Sequence, residues 1–350
     1  MKIGIVTLPL HFNYGGILQA YALQEVLKEL GHTSFILKPS IKSIKTYIKA
    51  ILYNRSDISQ FVNKYIKFDN LNEPFRLSEL HLKKYDALIV GSDQVWRFWP
   101  GTEAEREVNI SRYFLNTIGN GKIRKIAYAA SFGIDYLDLT ESENNLIKKL
   151  VKDFAAVSVR EQSGLPLCFK YLEREDACLV LDPTMLLTEN NYSNLIKKSP
   201  FKSTNKHCFV YLLDYEDIKN QKTVKALLPT NSEVLYAKVE RNPLKRYLKS
   251  DLTIQDWLSS IYNSDIIITD SFHGCVFSIL FHKDFYVMKN DFGGNTRINS
   301  LLSLFGLENR LIKKGSISEA NPIDWTFVEE KLQLMRNFSL DYLNKALSND

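Results

Sequence analysis

Cysteine is scarce in this sequence, with 4 residues in a chain of 350. Three of the four, Cys178, Cys208 and Cys275, fall inside apolar runs, where a thiol packs as a small hydrophobic group. The wide spacing of the cysteines excludes a zinc finger, and their scarcity predicts a reduced, intracellular protein.

Long hydrophobic runs are also missing at the N-terminus. The apolar stretch from Ile3 to Leu10 is too short for a membrane-spanning helix, and it lacks the small-residue cleavage site of a secretory leader. We interpret it as the first β-strand of a cytoplasmic protein.

No charge of one sign dominates the chain. The net charge is +5, and the lysines are spread along the whole length, which argues against nucleic acid as a partner. The stretch from Lys42 to Lys67 interleaves cations with apolar residues in a helical pattern. We interpret it as a solvated helical face. The weaker alternative is a helix lying on a membrane, which would place the protein at the inner face of that membrane.

The common signatures of nucleotide and metal sites are absent. No Gly-x-Gly-x-x-Gly segment follows the first strand, no Walker-type loop is present, and no Asp-x-Asp triplet occurs. The sequence therefore predicts no metal site and no resident cofactor.

The most informative segment that is present is Ser271-Phe272-His273-Gly274. It lies between the apolar run Ile266 to Ile268 and a second apolar run from Cys275 to Phe281. This pattern predicts a buried strand, a polar turn and a buried helix, with His273 at the helix N-terminus facing the crevice of an α/β sheet. Because helix N-termini attract anions, the segment predicts a site for a phosphate or a carboxylate.

Apolar strands alternate with helical segments through the rest of the chain, which is typical of parallel sheets covered on both faces. The fold class is therefore predicted to be α/β, with two Rossmann-like parallel-sheet domains facing a central cleft. We assign an N-terminal domain to residues 1–200 and a C-terminal domain to residues 201–323. A last helix, residues 324–350, is expected to pack back on the N-terminal domain.

Polar residues follow three of the apolar runs in the N-terminal half, in the segments that contain Asp93, Ser131 and Arg160. Because parallel strands end at the same edge of a sheet, all three ends should face one crevice. The glycine turn after the first strand should lie there too. The candidate cleft and acceptor residues are Asn13, Gly15, Gly16, Ser92, Gln94 and Ser131.

Several segments of the chain resemble the motifs of a known family. Its motifs, in order, are Asn13-Tyr14-Gly15-Gly16-Ile17-Leu18-Gln19-Ala20, Gly91-Ser92-Asp93-Gln94-Val95-Trp96, Ser158-Val159-Arg160-Glu161, Asp182-Pro183-Thr184, Ser271-Phe272-His273-Gly274 and Arg297-Ile298-Asn299-Ser300-Leu301-Leu302. Together they are similar to those of the polysaccharide pyruvyl transferase family. The resemblance implies a fold like that of GT-B glycosyltransferases, with phosphoenolpyruvate as the donor substrate. It also implies a sugar acceptor from a cell-surface glycan or its precursor, which can be lipid-linked.

The resemblance further implies that Arg160 binds the donor and that His273 is a functional histidine. The sequence departs from the family at Ser271, where many members carry an arginine. Serine can hydrogen-bond a phosphate but brings no charge, so the donor site needs another cation. Arg297 and the segment Lys238-Val239-Glu240-Arg241 are the candidates.

The chemistry of phosphoenolpyruvate calls for a guanidinium, several N–H donors and a proton donor near its methylene carbon. We therefore assign donor binding to Arg160, Ser271, Gly274 and Arg297. His273 is the expected proton donor, and Asp93 or Asp270 is the expected proton acceptor. The alternative for each aspartate is a structural role as the cap of the helix that follows it.

Two other functions are compatible with the sequence. The first is a metal-independent GT-B glycosyltransferase that uses a nucleotide sugar. The second is a catalytically idle member of the family that binds glycan precursors or partner enzymes as a scaffold, which Ser271 suggests. Trp96 is expected to be a packing residue in any of these cases.

Overall fold

The structure, a computed structural model, contains two parallel β-sheets with helices between their strands. It describes residues 1–38, 56–70, 84–98, 100–116, 123–199, 207–213, 218–238, 252–289, 295–312 and 321–348. The predicted α/β fold class is confirmed.

The first sheet has seven strands, and each neighbouring pair is parallel. They are β1 (Lys2–Val6), β2 (Thr33–Lys38), β3 (Phe68–Asn70), β4 (Ala87–Val90), β5 (Arg124–Ala130), β6 (Phe154–Val159) and β7 (Cys178–Leu179). Their order in space is β3-β2-β1-β4-β5-β6-β7. The central strand β4 is buried along its whole length, as the near-continuous apolar pattern predicts.

The helices of this part of the chain are α1 (Tyr14–Glu29), α2 (Asp57–Tyr65), α3 (Glu103–Tyr113), α4 (Glu141–Val151), α5 (Gly164–Leu172), α6 (Pro183–Leu186) and α7 (Glu189–Ile196). Thr102 and Thr140 begin α3 and α4 with capping boxes, in which side chains satisfy free N–H groups of the first turn. In the basic stretch predicted to be helical, α2 buries Ile58, Phe61 and Val62. Residues 42–55 of that stretch lie outside the described residues.

The second sheet has five parallel strands. They are β8 (His207–Leu212), β9 (Glu233–Lys238), β10 (Ile266–Thr269), β11 (Asp284–Met288) and β12 (Leu311–Ile312), and they stand in the order β12-β11-β10-β8-β9. Its helices are α8 (Ile218–Leu227), α9 (Ile254–Tyr262), α10 (Phe272–Leu280) and α11 (Asn295–Phe305), and the chain ends with α12 (Trp325–Leu347).

Each sheet has one position where the direction of the strand order reverses. In the first sheet this switch point lies between β1 and β4, and in the second it lies between β8 and β10. Loops from two neighbouring strands diverge there and leave a crevice at the carboxyl ends of the strands, where α/β proteins bind ligands. The segments singled out in the sequence follow β1, β4 and β10, so they belong to these two crevices.

The last helix contacts the first sheet. The Ser339 hydroxyl accepts a hydrogen bond from the backbone N–H of Leu181 at 3.0 Å, and Arg124 donates to the carbonyl of Ala346 at 2.5 Å. Arg336 donates to the carbonyl of Met185 at 2.9 Å.

The domain boundary proposed at residue 200 lies outside the described residues, and the division into domains stays a prediction.

An apolar core joins the two sheets around Tyr14, the first residue of α1. Its ring stacks on Trp257 with centroids 5.5 Å apart, and its hydroxyl donates to the carbonyl of Leu252 at 2.9 Å. The first turn of α1 is therefore held by residues that flank the second sheet. Among the described residues, no helix is both long enough and apolar enough to span a membrane.

Candidate active site between the two sheets

Arg160, at the end of β6, occupies the centre of a buried polar cluster. Its guanidinium donates to Asp93 Oδ1 at 2.9 Å and to Asp182 Oδ2 at 2.7 Å, and its side chain is completely buried. Burial alone would raise the pKa of Asp93, but the nearby positive charge of Arg160 holds it below its ordinary value. The ends of β4 and β6 therefore meet, as the strand-end argument predicted.

The turn after β4 brings Asp93 to this position. Gly91 has φ +119° there, and a Cβ atom at this residue would lie 2.1 Å from the carbonyl oxygen of Tyr128, so only glycine fits. Residues 94–98 and 100–102 form no helix. The expected role of Asp93 as a helix cap is therefore wrong, because its backbone at φ +76° forms a tight turn and its carboxylate faces Arg160.

Asp182 also belongs to this cluster, although the sequence did not identify it as a site residue. Its Oδ1 accepts from the backbone and the hydroxyl of Thr184 at 3.0 and 2.7 Å, and its Oδ2 lies 3.1 Å from the Ser92 hydroxyl as well as 2.7 Å from Arg160. Burial alone would raise its pKa, but His273 and Arg160 hold it well below its ordinary value. The signal that could have found it is its place directly after the strand beside Arg160.

His273 comes from the second sheet and lies at the N-terminus of α10, as predicted. It is 5% exposed, and its Nε2 atom lies 3.6 Å from Asp182 Oδ2, an ion-pair distance that is too long for a hydrogen bond. The contact between these two residues joins the crevices of the two sheets.

The cap of α10 is Ser271, whose side chain accepts from the backbone N–H of Gly274 at 3.3 Å. The expected capping role of Asp270 is therefore wrong by one residue. Its Oδ1 accepts instead from the backbone N–H of Leu213 at 2.6 Å, which ties the ends of β8 and β10 together. Gly274 lies where a Cβ atom would come within 2.4 Å of Thr269 Oγ1, so the turn packs tightly on its own strand.

The first turn of α1 lies against the Nδ1 atom of the His273 ring. Asn13 caps this helix, accepting from the backbone N–H of Gly16 at 3.1 Å. A Cβ atom at Gly15 would lie 2.0 Å from His273 Nδ1, and one at Gly16 would lie 3.2 Å from Asp93 Oδ2. Gly15 is thus needed less for the turn than for the close approach of His273, a contact that no sequence pattern indicates.

The substitution Gly15→Ala is expected to push the His273 ring away from Asp182, because the added methyl group would occupy the position of the ring. Overpacking of this kind costs about 1 to 3 kcal/mol of unfolding free energy. Urea unfolding and a crystal structure of the variant would measure both effects. In the control Gly101→Ala, the nearest atom is a carboxylate oxygen at the end of the exposed Glu105 side chain, 3.1 Å away, so stability should change less than in Gly15→Ala. An unmoved His273 in Gly15→Ala would contradict the argument.

The residues that follow β5 do not face the crevice directly, because they donate hydrogen bonds to the Glu161 carboxylate. One oxygen of Glu161 accepts from the Ser131 hydroxyl at 3.0 Å and from the backbone N–H groups of Phe132 and Gly133 at 2.8 and 3.2 Å. Ser131, a predicted cleft residue, therefore holds this carboxylate in place. The second oxygen of Glu161 lies 3.9 Å from Arg160 Nε.

A second arginine, Arg297 of α11, approaches the cluster beside Phe272. The guanidinium carbons of Arg160 and Arg297 lie 4.7 and 5.8 Å from the centre of the Phe272 ring. With its amide oxygen turned toward them, Gln94 accepts from Arg297 Nη2 at 3.3 Å and from Arg97 Nη1 at 3.2 Å. Burial and the positive charge of Arg160 lower the pKa of Arg297 to about 10. Because the positive charges of Arg160 and Arg297 repel each other, an anion bound beside them would be stabilised.

The second candidate for the missing cation was the segment 238–241, of which residues 239–241 lie outside the described residues. Trp96, in contrast, is fully buried and stacks on Phe114 with centroids 5.3 Å apart. Its expected role as a packing residue is confirmed.

Several buried polar atoms around this cluster have no hydrogen-bond partner in the part of the chain that the structure describes. They are Arg160 Nε, Glu161 Oε2, His273 Nε2 and Arg297 Nε. Buried polar atoms are normally paired, so unpaired ones in one place indicate a ligand or water site. Among the described residues, no His, Cys, Asp and Glu side chains are grouped to hold a metal ion.

Comparison with solved structures supports the fold. The UDP-GlcNAc 2-epimerase from Neisseria meningitidis bound to UDP-GlcNAc is 13% identical, with a TM-score of 0.55 over 99% of each chain. UGT89C1 from Arabidopsis thaliana, complexed with UDP-L-rhamnose, is 12% identical, with a TM-score of 0.49 over 99% of this chain and 98% of that one. At 13% identity the likeness to the epimerase concerns the fold alone, which is GT-B-like as predicted.

Comparison at the level of sequence identifies the family. No curated relative matches the chain significantly. The family model of polysaccharide pyruvyl transferases, however, matches residues 13–291, which include Asn13, Arg160, Asp182 and His273. The chain therefore belongs to the polysaccharide pyruvyl transferase family and is a transferase.

Proposed function

We propose that this protein transfers the pyruvyl group of phosphoenolpyruvate to hydroxyl groups of a sugar in a cell-surface polysaccharide or its precursor, with release of phosphate. The observation that carries the proposal is the meeting of Arg160, Arg297 and His273 around Phe272 in the buried cluster between the two sheets. Phosphoenolpyruvate has a phosphate and a carboxylate, which two guanidinium groups can bind, and an enol carbon that must receive a proton.

In the proposed reaction, His273 donates a proton to the methylene carbon of the donor. The electron pair of the C=C bond forms the new C–H bond and leaves a cationic centre at C2. A sugar hydroxyl attacks that centre, the C–O bond to phosphate breaks, and a second hydroxyl closes the ketal. Each hydroxyl gives up its proton to a base or to the departing phosphate.

Asp93 and Asp270 remain the candidates for that base, and their surroundings differ. Asp93 Oδ1 is bound by Arg160, but its Oδ2 lies beside the first turn of α1, on the crevice side. One oxygen of Asp270 is bound to the backbone of Leu213. We favour Asp93 because it lies beside His273. Its lowered pKa makes it a weak base. It would therefore accept the proton late, after attack on C2 has made the sugar hydroxyl acidic.

Arg297 is proposed to supply the charge that Ser271 does not. The Ser271 hydroxyl caps α10 from a buried position, so it can orient the helix N-terminus toward an anion. Arg297 shares the Phe272 ring with Arg160 and has an unpaired Nε atom in the described structure. The two guanidinium groups together can bind both anionic groups of the donor.

The burial of these groups implies a movement during turnover. Arg160 has a fully buried side chain, and His273 lies between Asp182 and Gly15. We therefore propose that the first turn of α1 moves away from α10 when the donor enters and returns before proton transfer. The closed arrangement would exclude water from the cationic centre.

The experiment that tests the proposed function is thermal unfolding with phosphoenolpyruvate, phosphate, pyruvate or a nucleoside diphosphate added separately. Phosphoenolpyruvate at a hundredfold excess over its dissociation constant should stabilise the wild type by about 2.7 kcal/mol. In Arg297→Met, loss of a charged hydrogen-bonding group costs about 1.5 to 3 kcal/mol, so the donor should bind roughly 10- to 100-fold more weakly.

The matched control is Arg174→Met, which removes a largely buried arginine that pairs with Asp176 away from the site and should leave donor binding unchanged. Stabilisation by the nucleoside diphosphate alone would favour a GT-B glycosyltransferase that uses a nucleotide sugar. Sugar binding without any release of phosphate would favour the idle scaffold. Either result would overturn the proposed function.

A further inference from the structure

We propose that Asp182 is a positioning residue, which orients the His273 ring and electrostatically favours a proton on its Nε2 atom, 3.6 Å away, through the same oxygen that binds Arg160. The role of this proton in turnover rests on the proposed function, whereas the orientation of the ring does not. Both oxygens of Asp182 already accept hydrogen bonds, and its negative charge disfavours direct contact with the anionic donor, so its role is to position His273.

The carboxylate is itself fixed before it meets His273. Thr184 binds Oδ1 through its backbone N–H and its hydroxyl, and Pro183 at the start of α6 restricts the backbone between them. Oδ2 therefore points toward Arg160, Ser92 and His273 with no freedom to rotate. A group that orients another must be held in this way by its own contacts.

The two nitrogen atoms of His273 face different neighbours. Nε2 faces the Asp182 carboxylate at 3.6 Å, while Nδ1 faces the backbone of Gly15 in α1. If Asp182 holds the Nε2 proton, the proton that can move is the one on Nδ1. That atom is uncovered when the first turn of α1 moves away. Proton transfer then takes the Nδ1 proton to the methylene carbon and leaves neutral His273 with its Nε2 proton still directed at Asp182.

Other charged groups surround this pair and bear on its pH dependence. Asp93 interacts electrostatically with His273 from the turn after β4, and Arg160 and Arg297 flank Phe272, the preceding residue. From α1, the backbone of Gly15 is in close contact with the ring. Asp182 is the nearest carboxylate to His273 at an ion-pair distance, so its charge should have the largest effect on the protonated ring.

The test is Asp182→Asn, which keeps the size of the side chain and removes its charge. We expect kcat for pyruvyl transfer to fall by about 10- to 100-fold, less than the loss of the proton donor itself would cause. Because a negative charge beside His273 favours its protonated form, the alkaline limb of the pH profile of kcat should move to lower pH. A merely structural role would lower stability without moving that limb.

Two measurements keep the proposal testable if Asp182→Asn folds poorly. Nitrogen-15 NMR of wild-type His273, without substrate, should find the proton on Nε2 at acidic and alkaline pH alike. Since this needs no turnover, it separates failure of the positioning role from failure of the proposed function. Thr184→Val, which loses one bond to Oδ1, should lower kcat in the same direction but by less.

The matched control is Asp176→Asn, which neutralises an aspartate that pairs with Arg174 away from the site. It should leave the pH profile of kcat unchanged. A wild-type His273 with its proton on Nδ1 and a bare Nε2 at alkaline pH would overturn the proposal. An unmoved alkaline limb in a folded Asp182→Asn protein would do so too.

Discussion

Replacing Arg160 with methionine should lower the free energy of unfolding by about 3 to 5 kcal/mol and abolish donor binding. The guanidinium is fully buried between Asp93 and Asp182. Removing it leaves two buried carboxylates without the cation that compensates their loss of hydration. His273 cannot replace two hydrogen bonds to two acceptors.

The pH dependence of the unfolding free energy distinguishes the loss of a compensating charge from a simple loss of packing. In the wild type the pKa values of Asp93 and Asp182 are lowered, so the stability they contribute is present at neutral pH and is lost as the pH falls. In Arg160→Met, burial should dominate and raise them instead. The variant should then become more stable on mild acidification, as one carboxyl takes up a proton. The wild type should keep its stability there, because the contribution of these two groups is lost only below the ordinary pKa of aspartate, about 3.9.

Urea unfolding of both proteins at neutral and mildly acidic pH measures this contrast. The control is Arg106→Met, since Arg106 makes a two-bond contact with Glu143 at 2.6 and 2.7 Å in a partly exposed position. Because this pair is partly open to solvent and its loss leaves one carboxylate and not two, Arg106→Met should cost less stability than Arg160→Met. If Arg160→Met lost no more stability than Arg106→Met, the central role of Arg160 would be refuted.

Much of this site could be predicted from where apolar runs end. The positions of Asp93, Arg160 and His273 follow from strand boundaries, and strands in parallel sheets end at one edge. The contacts between them could not be predicted in the same way. Whether Arg160 pairs with Asp93, Asp182 or Glu161 depends on turn geometry, and the positive φ of Asp93 leaves no periodic pattern in the sequence.

Two further features arise only when distant segments meet. The approach of Gly15 to His273 joins the first helix to a helix more than 250 residues later, and a local pattern contains no information about it. The cap of α10 is Ser271 and not the expected Asp270. Aspartate and serine are both good caps, so composition alone does not choose between them.

The substitution His273→Ala should reduce kcat for pyruvyl transfer by about 10²- to 10⁴-fold, the range attributed to positioned proton transfer. This corresponds to about 2.7 to 5.4 kcal/mol of activation free energy. Donor binding should survive, because Arg160 and Arg297 lie in other elements and keep their contacts. The effect should thus fall on kcat, whereas Arg297→Met should mainly raise KM for phosphoenolpyruvate.

Steady-state kinetics with thermal unfolding on the same preparations would measure this split. His282→Ala is the matched control, because His282 is an exposed histidine that contacts Glu329 at 3.2 Å, away from the cluster. Equal losses of kcat in both variants would contradict a specific role for His273, as would normal activity in His273→Ala. A protein that still binds phosphoenolpyruvate but cannot turn it over would place the chemistry on the histidine and the binding on the arginines, which is the division of roles that the geometry supports.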